Sequence, residues 1–512
     1  MSVATIEAAE AGIVAERPAR LAAMLRPERD AVAALLLDRA RDLLSFLRPG
    51  ASVPPACAET DELPPEVGQA LRAKPALRPA GSDGAAALAA LNETRRWLRA
   101  RLAPDDARAF DRLIHLGAAP ASGLAMIPAP ALGLTDPAFA AAEPMPVEGP
   151  PTGLGSLVLI AKLTRHCNLR CTYCTDWREG PGNQMTAATQ ALMVRRVAED
   201  RSIAAARFIW HGGEPSLLGV RKMLGFLWLQ ARLRRQGQIF TNSIQTNAAA
   251  LPDRVVALWR LFDFKVSVSL DGPRAIHDRQ RRTARGGASF DAVIDGIARL
   301  REAGIFAGVL IVVTPEIAAY PIERLVGELV DAGVHAAGFL PVRPDAGTGE
   351  GPYLPPAAFS DFLIRLFDLL RTRPDLRFDV REIDALHAAW QRQPTGFCEL
   401  NGPCLGGYFG IEPDGTVRHC DKFLGSASHA LGNLAERSFA DIRASAGMAA
   451  LKQREAERWL RLRSCAWYGH CKGWCPHESH IAALRGETGR CCGLAPVFDH
   501  FTALATAERL SA

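Results

Sequence analysis

Three thiols crowd into one stretch, RHCNLRCTYCTDW at 165–177: Cys167, Cys171 and Cys174. Three thiolates suit a cubane [4Fe–4S] cluster with one iron left free. That iron can take a substrate or cofactor directly, as the open position of a catalytic zinc does. A zinc knuckle instead pairs cysteines as C-x2-C with a distant second pair, which is not the C-x3-C-x2-C spacing here. Nine further cysteines bring the total to twelve: Cys57 stands alone, and eight lie between 398 and 492. Eight is the ligand number of two fully coordinated cubanes. No basic segment followed by an apolar run stands at the start of the sequence, so no export signal is expected, and the clustered cysteines are expected to bind metal rather than form disulfides, in a cytoplasmic location.

The elements that must position these thiols are legible from periodicity. Strand-like runs at 157–163, 206–210, 238–246, 264–270, 306–314 and 336–342 alternate with helical stretches at 186–199, 217–235, 253–262, 289–303 and 322–332. Repeated βα predicts an α/β fold with a parallel sheet or barrel whose site sits at the strand C-termini. Six units predict a partial barrel, and the three-cysteine loop follows its first strand. Residues 1–150 read as an N-terminal helical region ending in a Pro/Gly linker, a candidate for peptide recognition. Residues 151–350 form the barrel and 351–395 a helical connector. The cysteine-rich segment 396–512 shows little periodic structure and is expected to be held by metal more than by an apolar core. Of the 512 residues, 48% are hydrophobic and 22% charged, and the net charge is +5. That balance gives no reason to expect a nucleic-acid partner, and no run reaches the ~20 apolar residues that span a bilayer.

Cys167, Cys171 and Cys174, with Tyr173 before the last of them, resemble the signature loop of the radical S-adenosylmethionine (SAM) enzymes. Further motifs match in order: HGGEP at 211–215, IQTNA at 244–248, SVSLDGP at 267–273 and HDRQRRTARGGASF at 277–290. The resemblance implies a partial (β/α)6 barrel in which the three cysteines hold a cluster and SAM chelates its fourth iron. It implies SAM contacts from Gly212, Gly213 and Glu214, with Glu214 accepting from the ammonium, from Asn247 and Ser269 at strand ends, and from Arg281 toward the carboxylate. Tyr173 is expected against adenine. The basic run RQRRTAR then reads as a solvated loop around one SAM-binding arginine rather than an RNA site.

The late cysteines are similar to the SPASM extension of peptide-modifying radical SAM enzymes, which carries two auxiliary [4Fe–4S] clusters. CLGGYFGIEPDGTVRHC spaces Cys404 and Cys420 as C-x10-G-x4-C, and CAWYGHCKGWC is C-x5-C-x3-C. By position, Cys398, Cys404, Cys420 and Cys475 match one cluster, and Cys465, Cys471 and Cys491 three ligands of the other. Leu462 stands where the family carries the remaining cysteine. Either the adjacent Cys492 substitutes, or that cluster has an open iron or a non-cysteine ligand. Asp421 follows Cys420 and matches an aspartate assigned the role of base in sulfatase-maturating relatives.

The resemblance implies a maturase that generates a 5′-deoxyadenosyl radical, abstracts hydrogen from a residue of a ribosomal peptide or protein, and leaves a cross-linked or oxidised residue. It implies three [4Fe–4S] clusters, SAM, and an electron donor such as flavodoxin or ferredoxin. A formylglycine-generating sulfatase maturase and a small-molecule dehydrogenase with a SPASM tail are the alternatives. An iron–sulfur electron carrier would have no use for the GGEP, QTN and Arg281 elements.

Overall fold

The computed structural model describes Leu124 and residues 129–143 and 151–511, apart from 154, 236, 237, 263, 403, 488 and 490. The helical region expected over 1–150 therefore lies almost wholly outside the described residues, as does Cys57. Ten strands share one sheet: β1 (Gly155–Thr164), β3 (Ile203–Gly212), β4 (Ile239–Thr246), β5 (Lys265–Ser269), β7 (Phe306–Val313), β8 (Ala336–Pro341), β9 (Asp379–Val380), β10 (Tyr408–Ile411), β11 (Thr416–His419) and β12 (Ala430–Asn433). Their order is β12-β11-β10-β1-β3-β4-β5-β7-β8-β9. β1 pairs parallel with β3, and the pairs β4–β5, β5–β7 and β7–β8 are parallel too. β2 (Leu169–Cys171) and β6 (Arg281–Thr283) form a separate antiparallel ribbon.

The crossovers are α1 (Ala187–Glu199), α2 (Gly219–Leu233), α3 (Asp253–Leu261), α4 (Arg274–Gln280) with α5 (Phe290–Glu302), α6 (Ile322–Asp331) and α7 (Pro356–Thr372). The six strands and their crossovers fall within a few residues of the sequence expectation. The longer helices after the barrel are α8 (Arg381–Trp390), α9 (Ala446–Leu462), α10 (Pro476–Leu484) and α11 (Ala495–Ser511).

By internal packing the chain forms two compact units, residues 1–153 with 220–241, and residues 154–219 with 242–512. In the first, Phe139 lies edge-on to Trp228 of α2 with centroids 5.9 Å apart, and Gly225 leaves room for its ring. In the second, alternation does the sorting. Leu157, Leu159, Ala161 and Leu163 of β1 are buried, as are Phe208 and Trp210 of β3 and Val266 and Val268 of β5. The intervening positions carry Lys162, His211, Ser267 and Ser269, so the strands present a second, polar row. Register puts Lys162 opposite His211.

The cysteine-rich part has more regular structure and more core than its sequence suggested. β10 joins the main sheet parallel to β1, and β11 and β12 continue it antiparallel. Phe409 stacks on Phe439, and Phe367, Trp390 and Phe501 bring α7, α8 and α11 together. The buried stripe of α9 is Met448, Leu451, Glu455, Arg458 and Leu462. Its spacing is helical, but two of the five are charged and pair with each other, which hid the apolar period.

Candidate active site

Each functional loop leaves the C-terminal end of a strand. After β1 the chain runs through Cys167 into β2, which ends at Cys171, and then to Cys174. β6 holds this loop, with Cys171 opposite Arg281 in the ribbon. Backbone N–H groups point at two of the sulfurs: Leu169 N donates to Cys167 Sγ at 3.4 Å and Asp176 N to Cys174 Sγ at 3.4 Å. Burial pushes the Cys167 thiol up to about 12 and Cys171 up to about 11, and the neighbouring thiols add repulsion. Thiols so placed are poor thiolates alone and become good ones beside a cation, which fits an iron–sulfur cluster.

The GGEP turn locks against this loop. Gly213 N donates to Thr164 O and Glu214 N to His166 O, both at 2.7 Å. A Cβ on Gly212 would stand 2.0 Å from Thr164 O, and one on Gly213 2.1 Å from His166 O, so only glycine permits the approach. The Glu214 carboxylate is buried and already engaged. It accepts from Ser216 N at 2.9 Å, Thr246 Oγ1 at 2.7 Å and Asn247 N at 2.6 Å, so it ties β3 to β4. Burial raises its pKa against those donors. Asn247 Nδ2 reaches Asn168 Oδ1 at 2.8 Å and Cys167 Sγ at 3.7 Å, which makes it a brace of the cysteine loop. Ser269 Oγ accepts from Gln245 Nε2 at 2.8 Å.

Arg281 and Tyr173 meet on a residue that sequence reasoning passed over. Asp271, fully buried just after β5, pairs with Arg281 Nε at 2.9 Å, accepts from the Tyr173 hydroxyl and accepts from Val312 N at 3.2 Å. The Arg281 guanidinium lies 5.6 Å from the Tyr173 ring centroid and Nη1 is 3.9 Å from Cys171 Sγ. Below it, His277 Nδ1 accepts from Asp271 N at 3.2 Å and Nε2 meets Ser289 Oγ at 3.0 Å, while Ser289 donates to Arg281 O. These partners fix the neutral Nε2–H tautomer, and burial with Arg281 nearby lowers the His277 pKa to about 4.

The polar row holds a second cluster. Lys162 Nζ pairs with Asp176 and with Asp421 and lies 3.0 Å from His211 Nδ1. Asp176 also takes Arg165 Nη1 at 2.7 Å, and Arg165 pairs with Glu412 at the end of β10. Burial opposes the charge on Lys162, but Asp176 and Asp421 outweigh it and raise its pKa. Burial likewise works against the Asp176 carboxylate, and Lys162 wins, holding it well below the carboxylate range. Asp176, His211 and Asp421 could by spacing hold a cation. The Lys162 ammonium already supplies one. Of this cluster only Asp421 was singled out from sequence; a lone lysine in the apolar run LVLIAKL was the available signal for Lys162.

The remaining thiols form two groups. Cys398, Cys404, Cys420 and Cys475 act on one another electrostatically; burial and this repulsion push Cys404 up to about 12, and burial raises Cys420 to about 11. Cys404 Sγ lies 3.6 Å from His419 Nε2, and Lys422 Nζ is 3.8 Å from Cys475 Sγ. Cys465, Cys471, Cys491 and Cys492 make up the other group. The structure thus sorts eleven cysteines into sets of three, four and four.

A cysteine triad at the mouth of a parallel partial barrel, followed by a cysteine-rich extension, defines an iron–sulfur enzyme of the radical SAM type. The family models agree: the radical SAM superfamily matches residues 162–326, and SPASM, an iron–sulfur cluster-binding domain, matches 403–475. The chain belongs to the radical SAM family and is homologous to the anaerobic sulfatase-maturating enzymes. It is 30% identical over 342 residues to the serine-type anaerobic sulfatase-maturating enzyme of Klebsiella aerogenes, covering 66% of this chain and 82% of that protein. It is 27% identical to the cysteine-type enzyme of Clostridium novyi (strain NT), covering 62% and 87%. The fold matches that of native anSMEcpe with bound AdoMet and Cp18Cys peptide at a TM-score of 0.60, 22% identity, and coverage of 70% and 98%. No helix among the described residues is long and apolar enough to cross a membrane.

Proposed function

We propose that this chain is a maturase that oxidises or cross-links a residue of a ribosomal peptide or protein. The observation that carries the reading is convergence on one row of strand ends: the cysteine triad, the GGEP turn braced by Glu214 and Asn247, and Asp421 delivered from the SPASM extension onto Lys162. When bound, the triad's cluster and SAM supply a 5′-deoxyadenosyl radical that abstracts hydrogen, and the auxiliary clusters supply electron acceptors.

The chain's own residues do the rest. Gly212 and Gly213 bring the backbone close enough to line the SAM site. Arg281, held by Asp271, offers guanidinium N–H groups to the SAM carboxylate, and Tyr173 offers its ring to adenine. Glu214 keeps acceptor capacity for the SAM ammonium while it braces β4, and Asn247 at the strand end braces the cysteine loop beside it. Ser269 faces the same row. Oxidising a side-chain carbon also requires loss of a proton, and Asp421, paired with Lys162, is the carboxylate we assign to accept it.

A second reading, formylglycine formation in a sulfatase, is favoured by the serine-type relative at 30% identity. Anaerobic incubation with SAM and reductant distinguishes the two. Loss of two hydrogens from the serine of a sulfatase-derived peptide, or from its cysteine with water then replacing the sulfur as released sulfide, supports the second. Modification only of a short peptide encoded beside this gene supports the first. Deoxyadenosine formation by a Cys167→Ala/Cys171→Ala/Cys174→Ala variant would overturn both.

A further inference from the structure

The tandem cysteines open the C-terminal helix, and four thiols gather there. Cys492 Sγ lies 3.6 Å from Cys471 Sγ. Cys491 is within hydrogen-bonding reach of both Cys492 and Cys465. Adjacent side chains on extended backbone point to opposite faces, so both thiols can serve one centre only where the chain turns. The chain bends at Cys491, and Gly493 follows with φ +96°, where a Cβ would stand 2.3 Å from Pro356 Cβ, so the entry into α11 needs glycine. α11 then starts at Ala495, and the turn's N–H groups face the sulfurs. Gly493 N lies 3.3 Å from Cys491 Sγ. On the opposite side, Lys472, Gly473 and Trp474 all take positive φ, which aims Gly473 N at Cys471 Sγ at 3.3 Å. Leu462, the residue at the position in question, is buried at the end of α9 and packs toward Gly473, so it closes that side with apolar surface.

We propose that Cys465, Cys471, Cys491 and Cys492 hold a single iron–sulfur cluster through all four of its irons, with Cys492 as the fourth ligand. This rests on the iron–sulfur reading above and deepens it: a saturated cluster has no iron free for a substrate thiol, so its role is confined to electron transfer.

The test separates this site from SAM chemistry. In the full-length Cys167→Ala/Cys171→Ala/Cys174→Ala background, reconstituted protein should keep about eight irons per chain, two closed cubanes. Failure at that point, with far less iron, counts against the underlying assignment of the auxiliary sets. Adding Cys492→Ala should remove about one iron and give, on oxidation, the electron paramagnetic resonance signal of a three-iron cluster. Cys492→Ser should keep the iron with an altered spectrum, oxygen replacing sulfur at one iron. An unchanged iron content and spectrum in Cys492→Ala would overturn the assignment, as would zinc in place of iron at this site. A measurement on the wild-type holoenzyme stands independently of any variant's folding. Its auxiliary spectra should not change on adding cyanide or dithiothreitol, and a change on the cluster distinct from the SAM-binding one would also overturn the proposal.

Discussion

Asp271→Asn is the sharpest perturbation of the proposed SAM site, because it removes one charge and almost no volume. Oδ2 of Asp271 receives both Arg281 and the Tyr173 hydroxyl, while Oδ1 receives Val312 N. An asparagine can keep its oxygen toward Val312 only by turning its NH2 toward Arg281, donor against donor. Removing one partner of a buried ion pair costs roughly 3–5 kcal/mol. Arg281 is 6% exposed and cannot recover that in water. It also faces Cys171 across the β2–β6 ribbon, so the strain falls on the cysteine loop. If a third to a half of the cost appears in the SAM complex, affinity falls roughly fivefold to sixtyfold, at ~1.4 kcal/mol per decade. Equilibrium dialysis with labelled SAM on anaerobically reconstituted protein measures it, and a thermal melt of the same sample reads the remainder. SAM affinity within twofold of wild type together with an unchanged melt would refute the role given to Asp271.

Lys162→Met should leave Asp176 and Asp421 without their shared cation. A loss of roughly 3–5 kcal/mol in stability, or capture of a divalent cation by Asp176, His211 and Asp421, is expected, read by denaturant titration and metal analysis. Gly213→Ala forces a Cβ against His166 O and should separate the GGEP turn from the cysteine loop, lowering SAM affinity in the same dialysis assay. His277 gives a pH dependence. Its folded pKa of about 4 lies below the unfolded ~6.5, so the unfolded chain binds the extra proton between these values. The stabilisation, about 3 kcal/mol, is complete above pH ~6.5 and lost as pH falls through 4; His277→Phe should flatten this part of the stability profile. Truncation before Gly153 removes Phe139 and exposes Trp228 and the space beside Gly225, so light scattering should show aggregation that a start before Ala129 reduces.

The sequence by itself determined the six βα units, because β and helical periods are local and survive without tertiary context. It also located the cysteine triad and the GGEP glycines, whose identities are dictated by chemistry and by a backbone approach that no side chain tolerates. Tertiary structure decided what those motifs do to each other. Glu214 reads as a ligand for an ammonium, and folding adds a second task, since its carboxylate also accepts from Ser216, Thr246 and Asn247. Lys162 and Asp421 are 259 positions apart and become a pair only when the end of β11 is brought to β1 through β10. Asp271 looks like one residue of an ordinary D-G-P turn until Tyr173 and Arg281 close over it. Ion pairs between distant segments leave no periodic trace, since each partner alone looks like a solvated charge. The tandem cysteines show the same division: composition supplied the thiols, and only folding brings Cys491 to Cys465 and Cys492 to Cys471.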